Sequence, residues 1–121
     1  MIPGKRINNK DELKKITQRM LKHINPEKKS SYEALLTWVR IDKNIYQKDW
    51  LRSEQEFYLL FKHPVHDYLD SLFIVNGNTL SKFMKDNIDV DRMEGVDLIV
   101  TSHDFLHSFV CNHDGEIYLV N

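Results

Sequence analysis

The residues from Val96 to Val120, VDLIVTSHDFLHSFVCNHDGEIYLV, decide the fold class of this chain. They contain three short runs rich in apolar residues, 96–101, 106–112 and 116–120, and each has the length and composition of a β-strand. Asp114 and Gly115 join the last two runs. Asp-Gly between apolar runs is a strong hairpin signal, because both turn positions need positive φ and this pair tolerates it. The stretch therefore predicts a β-meander.

The N-terminal part predicts two helices. Asn9 is a capping residue with Glu12 three positions later, and apolar residues then recur at helical spacing at Leu13, Ile16, Met20, Leu21 and Ile24. This pattern predicts a helix over 10–24, which Asn25 and Pro26 end. A second helix is predicted to start there, with Asn25 as cap and Pro26 in its first turn, and to reach about Arg40. It rests on the same spacing at Tyr32, Leu35, Leu36 and Val39. We expect that helix, with Trp38 beside its apolar face, to pack on a sheet.

The middle of the chain gives less uniform signals. Residues 42–55 are mostly polar and predict a connection with at most one helical turn. Residues 56–62 (EFYLLFK) are ambiguous, because Ser53 and Glu56 form a capping-box pattern for a helix while the composition favours a strand. We favour the strand, since His63-Pro64 ends the run after seven residues.

Beyond that run, 70–76 predicts a buried strand, closed by a turn at Asn76-Gly77-Asn78. A short helix over 79–86 follows, with Leu80 and Phe83 inward. The expected fold is α+β: two N-terminal helices, one short middle helix and about five mostly antiparallel strands, with the helices on one face. With 121 residues, the chain is expected to form a single domain over 1–121.

Composition limits where the protein is expected to act. No run of about 18 apolar residues is present, and the first 15 residues are polar, so we expect neither membrane insertion nor a signal peptide. Cys111 is the single cysteine, which excludes an internal disulfide and fits a reducing compartment. We therefore expect a cytoplasmic protein without a membrane partner.

The six histidines prompt the question of a metal or acid–base site. His63 and His66 are three apart around Pro64, which does not fit the helical i, i+4 pair of a zinc protease. His103 and His107 lie at the start of a predicted strand, where four residues span about 13 Å and cannot share an ion. We therefore predict no metal site, and treat a small metal- or histidine-dependent hydrolase or nuclease using His113 as the alternative function.

Other catalytic or cofactor signatures are also missing from the sequence. The four glycines are isolated, so no Gly-rich phosphate loop can form, and no cofactor is expected. Cys111 lies in a predicted strand and is expected to be a small buried hydrophobe rather than a nucleophile. We expect no catalytic residue, and hence no enzyme.

Charge is distributed unevenly along the chain. Residues 1–62 hold 14 Lys and Arg against 8 Asp and Glu, whereas 63–121 hold 3 against 10, so the halves carry +6 and −7. Basic residues follow the polar side of the first helix and suggest nucleic-acid binding as a further alternative. The same residues also fit a solvated helix face. They are Lys10, Lys14, Lys15, Arg19 and Lys22. Because no aromatic stacking motif accompanies them, nucleic acid is not the expected partner.

The acidic stretch between the predicted middle helix and the meander is the candidate binding surface. Clustered carboxylates of this kind can oppose a basic surface on another protein and raise the association rate. The predicted partner-binding residues are Asp86, Asp89, Asp91, Glu94 and Asp97.

The last 25 residues resemble the ends of small bacterial α+β proteins, some of which are immunity proteins of toxin systems such as contact-dependent growth inhibition. The shared features are an Asp104-Phe105 step and the sequence Asn112-His113-Asp114-Gly115 between two strands. At the position after the Phe step, where the relatives often have Trp, this chain has Leu106. The resemblance implies a protein that binds a cognate toxin, a nuclease in our expectation, and blocks it stoichiometrically.

Overall fold

The computed structural model describes residues 4–41, 45, 48–62, 70–87, 98–112 and 116–120. Within them the chain forms one sheet with the strand order β1-β4-β3-β5-β6-β7-β2, and every neighbouring pair is antiparallel. The elements are β1 (Lys5–Arg6), α1 (Lys10–Ile24), α2 (Ser31–Leu35), β2 (Val39–Ile41), β3 (Glu56–Phe61), β4 (Leu72–Asn76), α3 (Gly77–Asn87), β5 (Leu98–Ser102), β6 (Ser108–Cys111) and β7 (Ile117–Val120). The α+β class and the meander β5–β6–β7 are confirmed.

The expected number of about five strands was too low, because β1 and β2 were missed. Both are edge strands of two or three residues, and both pair with strands that were predicted: β1 with β4, and β2 with β7. The bounds of α1 match the prediction, and the Asn9 side chain accepts a hydrogen bond from the Glu12 N–H at 3.0 Å. The Asp114-Gly115 turn lies outside the described residues.

The prediction of a second helix from Asn25-Pro26 to Arg40 was wrong at both ends, since α2 runs only from Ser31 to Leu35 and Ser30 Oγ accepts from the Glu33 N–H. After it, the Thr37 hydroxyl donates to the Ala34 carbonyl, and the Trp38 indole N–H donates to the Ile24 carbonyl at 3.1 Å. These bonds turn the chain towards the sheet, where β2 pairs with β7. An available edge on β7 therefore outweighs the local helical spacing.

The expectation that helices cover one face of the sheet was also wrong, because both faces are covered. On one face, Leu80, Phe83 and Met84 of α3 pack with the first core cluster, joined by Ile45 and Leu51. On the other face, Met20 and Ile24 of α1 pack on Tyr58, Leu60, Leu72 and Ile99. Strand β3 is buried from both sides, which explains why EFYLLF is a continuous apolar run.

Helix α3 begins where a turn was predicted. Asn76 accepts a hydrogen bond from the Thr79 N–H through its side-chain oxygen, so it caps the helix and does not open a turn. Gly77 lies close to the backbone of the segment before β3, and an added Cβ would be 2.1 Å from the Leu51 carbonyl oxygen. The inward positions of Leu80 and Phe83 are confirmed.

The register aligns the ends of four neighbouring strands. Phe61 pairs with Leu98, Leu98 with Cys111, and Cys111 with Ile117. We call this edge of the sheet the lower end, and the opposite edge, with Ser102 and Ser108, the upper end. The strand residues next to the segments 62–70, 88–97 and 112–116 therefore all lie at the lower end.

Candidate functional site

The predicted partner-binding residues run from the last turn of α3 to the residue before β5. Asp86 is exposed in the last turn of α3 and has no ion pair with another described residue. Asp89, Asp91, Glu94 and Asp97 lie outside the described residues. The two flanking elements are fixed in the core, because α3 carries buried Met84 and β5 is a fully buried strand.

Most carboxylates of the second half belong to segments that adjoin strand ends at the lower end. These segments are 63–69, 88–97 and 113–115, and Arg92 is their one Lys or Arg residue. They contain six of the ten carboxylates of residues 63–121: Asp67, Asp89, Asp91, Glu94, Asp97 and Asp114. The strand residues that flank these segments, Phe61, Leu98, Cys111 and Ile117, are neighbours in the sheet.

Two further carboxylates at the lower end are paired within the protein. Asp70 accepts a hydrogen bond from Lys62 at 2.7 Å. Glu116 lies 3.3 Å from Arg40, and hydrogen bonds from the side chains of Asn112 and Tyr118 lower its pKa. These two carboxylates link neighbouring parts of the lower end, and their charge is largely balanced by Lys62 and Arg40.

The described histidines of the turn between β5 and β6 do not converge. The His103 ring lies 5.4 Å from the Tyr58 ring, on the side of the sheet that α1 covers. The His107 ring stacks on Trp50 at 4.7 Å, on the α3 side. In the parts of the chain that the structure describes, no group of three His, Cys, Asp or Glu side chains could hold a metal ion. His63, His66 and His113 lie outside those parts.

A polar chain that sequence reasoning missed links α1 to the sheet. His23 Nδ1 lies 2.7 Å from Ser108 Oγ, and the Ser108 hydroxyl donates to Thr101 Oγ1 at 2.8 Å. Burial and the nearby Arg19 charge lower the pKa of His23. The helical spacing of Ile16, Arg19 and His23 was the available signal, since it places the imidazole on a side of α1 that meets the sheet.

This serine–histidine contact does not have the geometry of a nucleophile and its base. Ser108 is only 2% exposed, so no substrate reaches its hydroxyl, and no described carboxylate hydrogen-bonds His23. Cys111 is also fully buried, and burial raises the pKa of its thiol well above the usual range, as expected for a small hydrophobe. The described reactive side chains are thus used in packing.

The turn between β5 and β6 carries the Asp104-Phe105 step of the resemblance. Ser102 organises it: its hydroxyl donates to Asp104 at 2.6 Å and accepts from the backbone N–H groups of Leu106 and His107. Phe105 has a positive φ of 60°, and the Arg19 guanidinium lies 3.9 Å above its ring. The turn is therefore a rigid feature at the upper end.

Comparisons of this chain with family models, curated proteins and solved structures found no match. The resemblance of the last 25 residues to immunity proteins thus stays a prediction. No helix among the described residues is long and apolar enough to cross a membrane.

Proposed function

We propose that this chain is an immunity-type protein that neutralises a toxin of the same bacterium by stoichiometric binding in the cytoplasm. The proposal rests on the charge pattern of the sequence: the segments 63–69, 88–97 and 113–115 contain six carboxylates and one arginine, and each segment adjoins a strand whose end lies at the lower end of the sheet. A concentrated negative surface complements a basic one, such as the active site of a nuclease, and raises both the association rate and the specificity.

The packing of the described reactive groups supports binding over catalysis. Ser108 and Cys111 are buried, and the His107 ring is stacked on Trp50. Asp86, by contrast, is exposed at the start of the acidic stretch and belongs to a helix anchored in the core. Docking on rigid elements limits the entropy lost on association.

The test is protection against the toxin domain encoded beside this gene. The purified proteins should form a 1:1 complex by titration calorimetry, and co-expression should restore growth. The variant Asp89→Lys/Asp91→Lys/Glu94→Lys should bind at least about tenfold more weakly, mainly through slower association, and the loss should grow at low salt.

A matched variant separates the local surface from total charge. Glu27→Lys/Asp49→Lys/Glu54→Lys changes the net charge equally at exposed positions in the other half of the chain. We expect it to bind within about threefold of the parent protein, because it leaves the acidic stretch unchanged. Equal affinity of both variants would contradict the acidic docking surface, and the absence of any complex would contradict the immunity function.

A further inference from the structure

A groove with a volume of about 940 Å³ lies beside α1 at the lower end. One wall is the side of α1 that carries Gln18, Leu21 and Lys22, the opposite wall is the segment 25–38, and the floor is the sheet face at Ile99 and Val110. We call it the lysine-rimmed groove. Small-molecule sites have volumes of about 300–1,000 Å³, so a single ligand fits.

The interior of the groove is apolar and aliphatic. Its lining includes Ile24, Ala34, Leu35, Ile99 and Val110. Leu21, at its edge, is 37% exposed and is one of the large apolar side chains that the fold leaves partly in water. Covering this surface would remove apolar area from water, which is favourable in proportion to the area covered.

The charged side chains in the described lining of the groove are of one sign. Four lysines line it, Lys22, Lys28, Lys29 and Lys62, and none of its described lining residues is a carboxylate. Lys29 is paired with Glu27 and Lys62 with Asp70, whereas Lys22 and Lys28 have no ion pair with a described residue. Two ammonium groups at the mouth of the groove thus have no carboxylate partner in the described parts of the chain.

Several polar groups in the lining already have hydrogen-bond partners. The Asn25 side chain exchanges two bonds with the backbone of Lys29, and the Trp38 indole N–H donates to Ile24. The Asn112 side chain donates to Glu116. A bound peptide would need partners for its own backbone groups, while an acyl chain needs none.

We propose that the lysine-rimmed groove binds an amphipathic anion, an acyl chain with one acidic headgroup. The chain lies along Ile99 and Val110, and the headgroup meets Lys22 and Lys28. This proposal does not rest on the proposed toxin complex, which uses the opposite charge.

Dodecanoate, used below its micelle concentration, is the probe. Backbone amide shifts in ¹H–¹⁵N spectra should change at Lys22, Ala34 and Val110, and should stay unchanged in the upper-end turn at Asp104. Extending the chain from octanoate to decanoate and then dodecanoate should tighten binding by about tenfold per step, because each step buries two methylene groups. Dodecanol, which lacks the charge, should bind at least about tenfold more weakly than dodecanoate.

Two variants of equal charge test the rim. Lys22→Gln/Lys28→Gln should bind dodecanoate about tenfold more weakly. Lys14→Gln/Lys15→Gln removes the same charge from exposed positions of α1 outside the groove, and should bind within about twofold of the parent protein. All four substitutions are on exposed side chains, so the variants should fold, which circular dichroism checks.

The remaining outcomes would overturn the proposal. Equal binding of dodecanol and dodecanoate would remove the role of the lysines. Shift changes centred outside the groove, or binding only to anionic vesicles and not to monomeric dodecanoate, would assign the surface to another role. Concentration-dependent self-association that covers the groove, seen by sedimentation, would make a second copy of the chain its occupant.

Discussion

Replacement of Ser102 by alanine should destabilise the protein by about 2 kcal/mol, because this one hydroxyl joins three groups of the upper-end turn. It donates to Asp104 at 2.6 Å and accepts from the N–H groups of Leu106 at 3.1 Å and His107 at 3.0 Å. Each such bond contributes about 1 kcal/mol net. The Leu106 N–H keeps a second acceptor in Asp104, and the exposed Asp104 regains water, so the cost falls below the sum of three bonds. In a domain of this size the melting temperature should fall by about 8 °C.

The assay is urea unfolding at pH 7 and again across the acid range. The Ser102 hydroxyl is the largest cause of the lowered pKa of Asp104. A carboxylate with a lowered folded-state pKa stabilises the protein above its ordinary pKa of about 4, and this stability is lost as pH falls through the folded-state value. Ser102→Ala should therefore lose stability at pH 7 and show a shallower decline below pH 4. A loss under about 0.5 kcal/mol, or an unchanged acid slope, would refute the role given to Ser102.

Three further substitutions test other parts of the fold. Gly77→Ala should lower the free energy of unfolding by about 3 kcal/mol in chemical denaturation, because the added Cβ would be 2.1 Å from the Leu51 carbonyl oxygen. Thr79→Ala, at an exposed position of the same helix, should change it by less than about 0.5 kcal/mol. Cys111→Ser should cost about 2 kcal/mol by the same assay, since a hydroxyl replaces a fully buried thiol, and the native thiol should resist a thiol reagent until the protein unfolds. Because the pKa of His23 is lowered in the folded protein, the unfolded chain binds a proton first as pH falls, and the free energy of unfolding should decrease below about pH 6.5. His23→Gln should remove this part of the pH dependence. An identical pH dependence of the free energy of unfolding in both proteins from pH 7 to pH 5 would contradict it.

The parts of the fold that the sequence predicts are those with strong local signals. The cap at Asn9 and the apolar spacing that follows place α1 correctly, and the alternation around Phe109 and Tyr118 identifies the meander. The short run at 56–61 is also correctly a strand, because its length and the following proline outweigh the capping-box pattern. In these segments local preference and tertiary packing agree.

The features that the sequence does not predict depend on distant contacts. Val39 fits a helix by its spacing, yet it belongs to β2 because β7 offers an unpaired edge. His23 meets Ser108 across 85 positions, and Lys22 and Lys62 reach one groove only through the packing of α1 on β3 and β5. No local sequence pattern predicts contacts between residues so far apart in the chain. The polar chain and the groove can therefore be identified only from the folded structure.

The two proposals use opposite charges, and the topology explains how both can exist in a chain whose net charge is −1. The acidic residues belong to segments that connect strands at the lower end, while the lysines of the groove belong to α1 and to the segment after it. Lys62 of the groove and Asp70 are paired at 2.7 Å, so charges of the two signs come close at the lower end. The variants nevertheless change different residues: Asp89, Asp91 and Glu94 for the toxin, and Lys22 and Lys28 for the acyl anion. Loss of one binding activity without the other is therefore the expected signature of each variant.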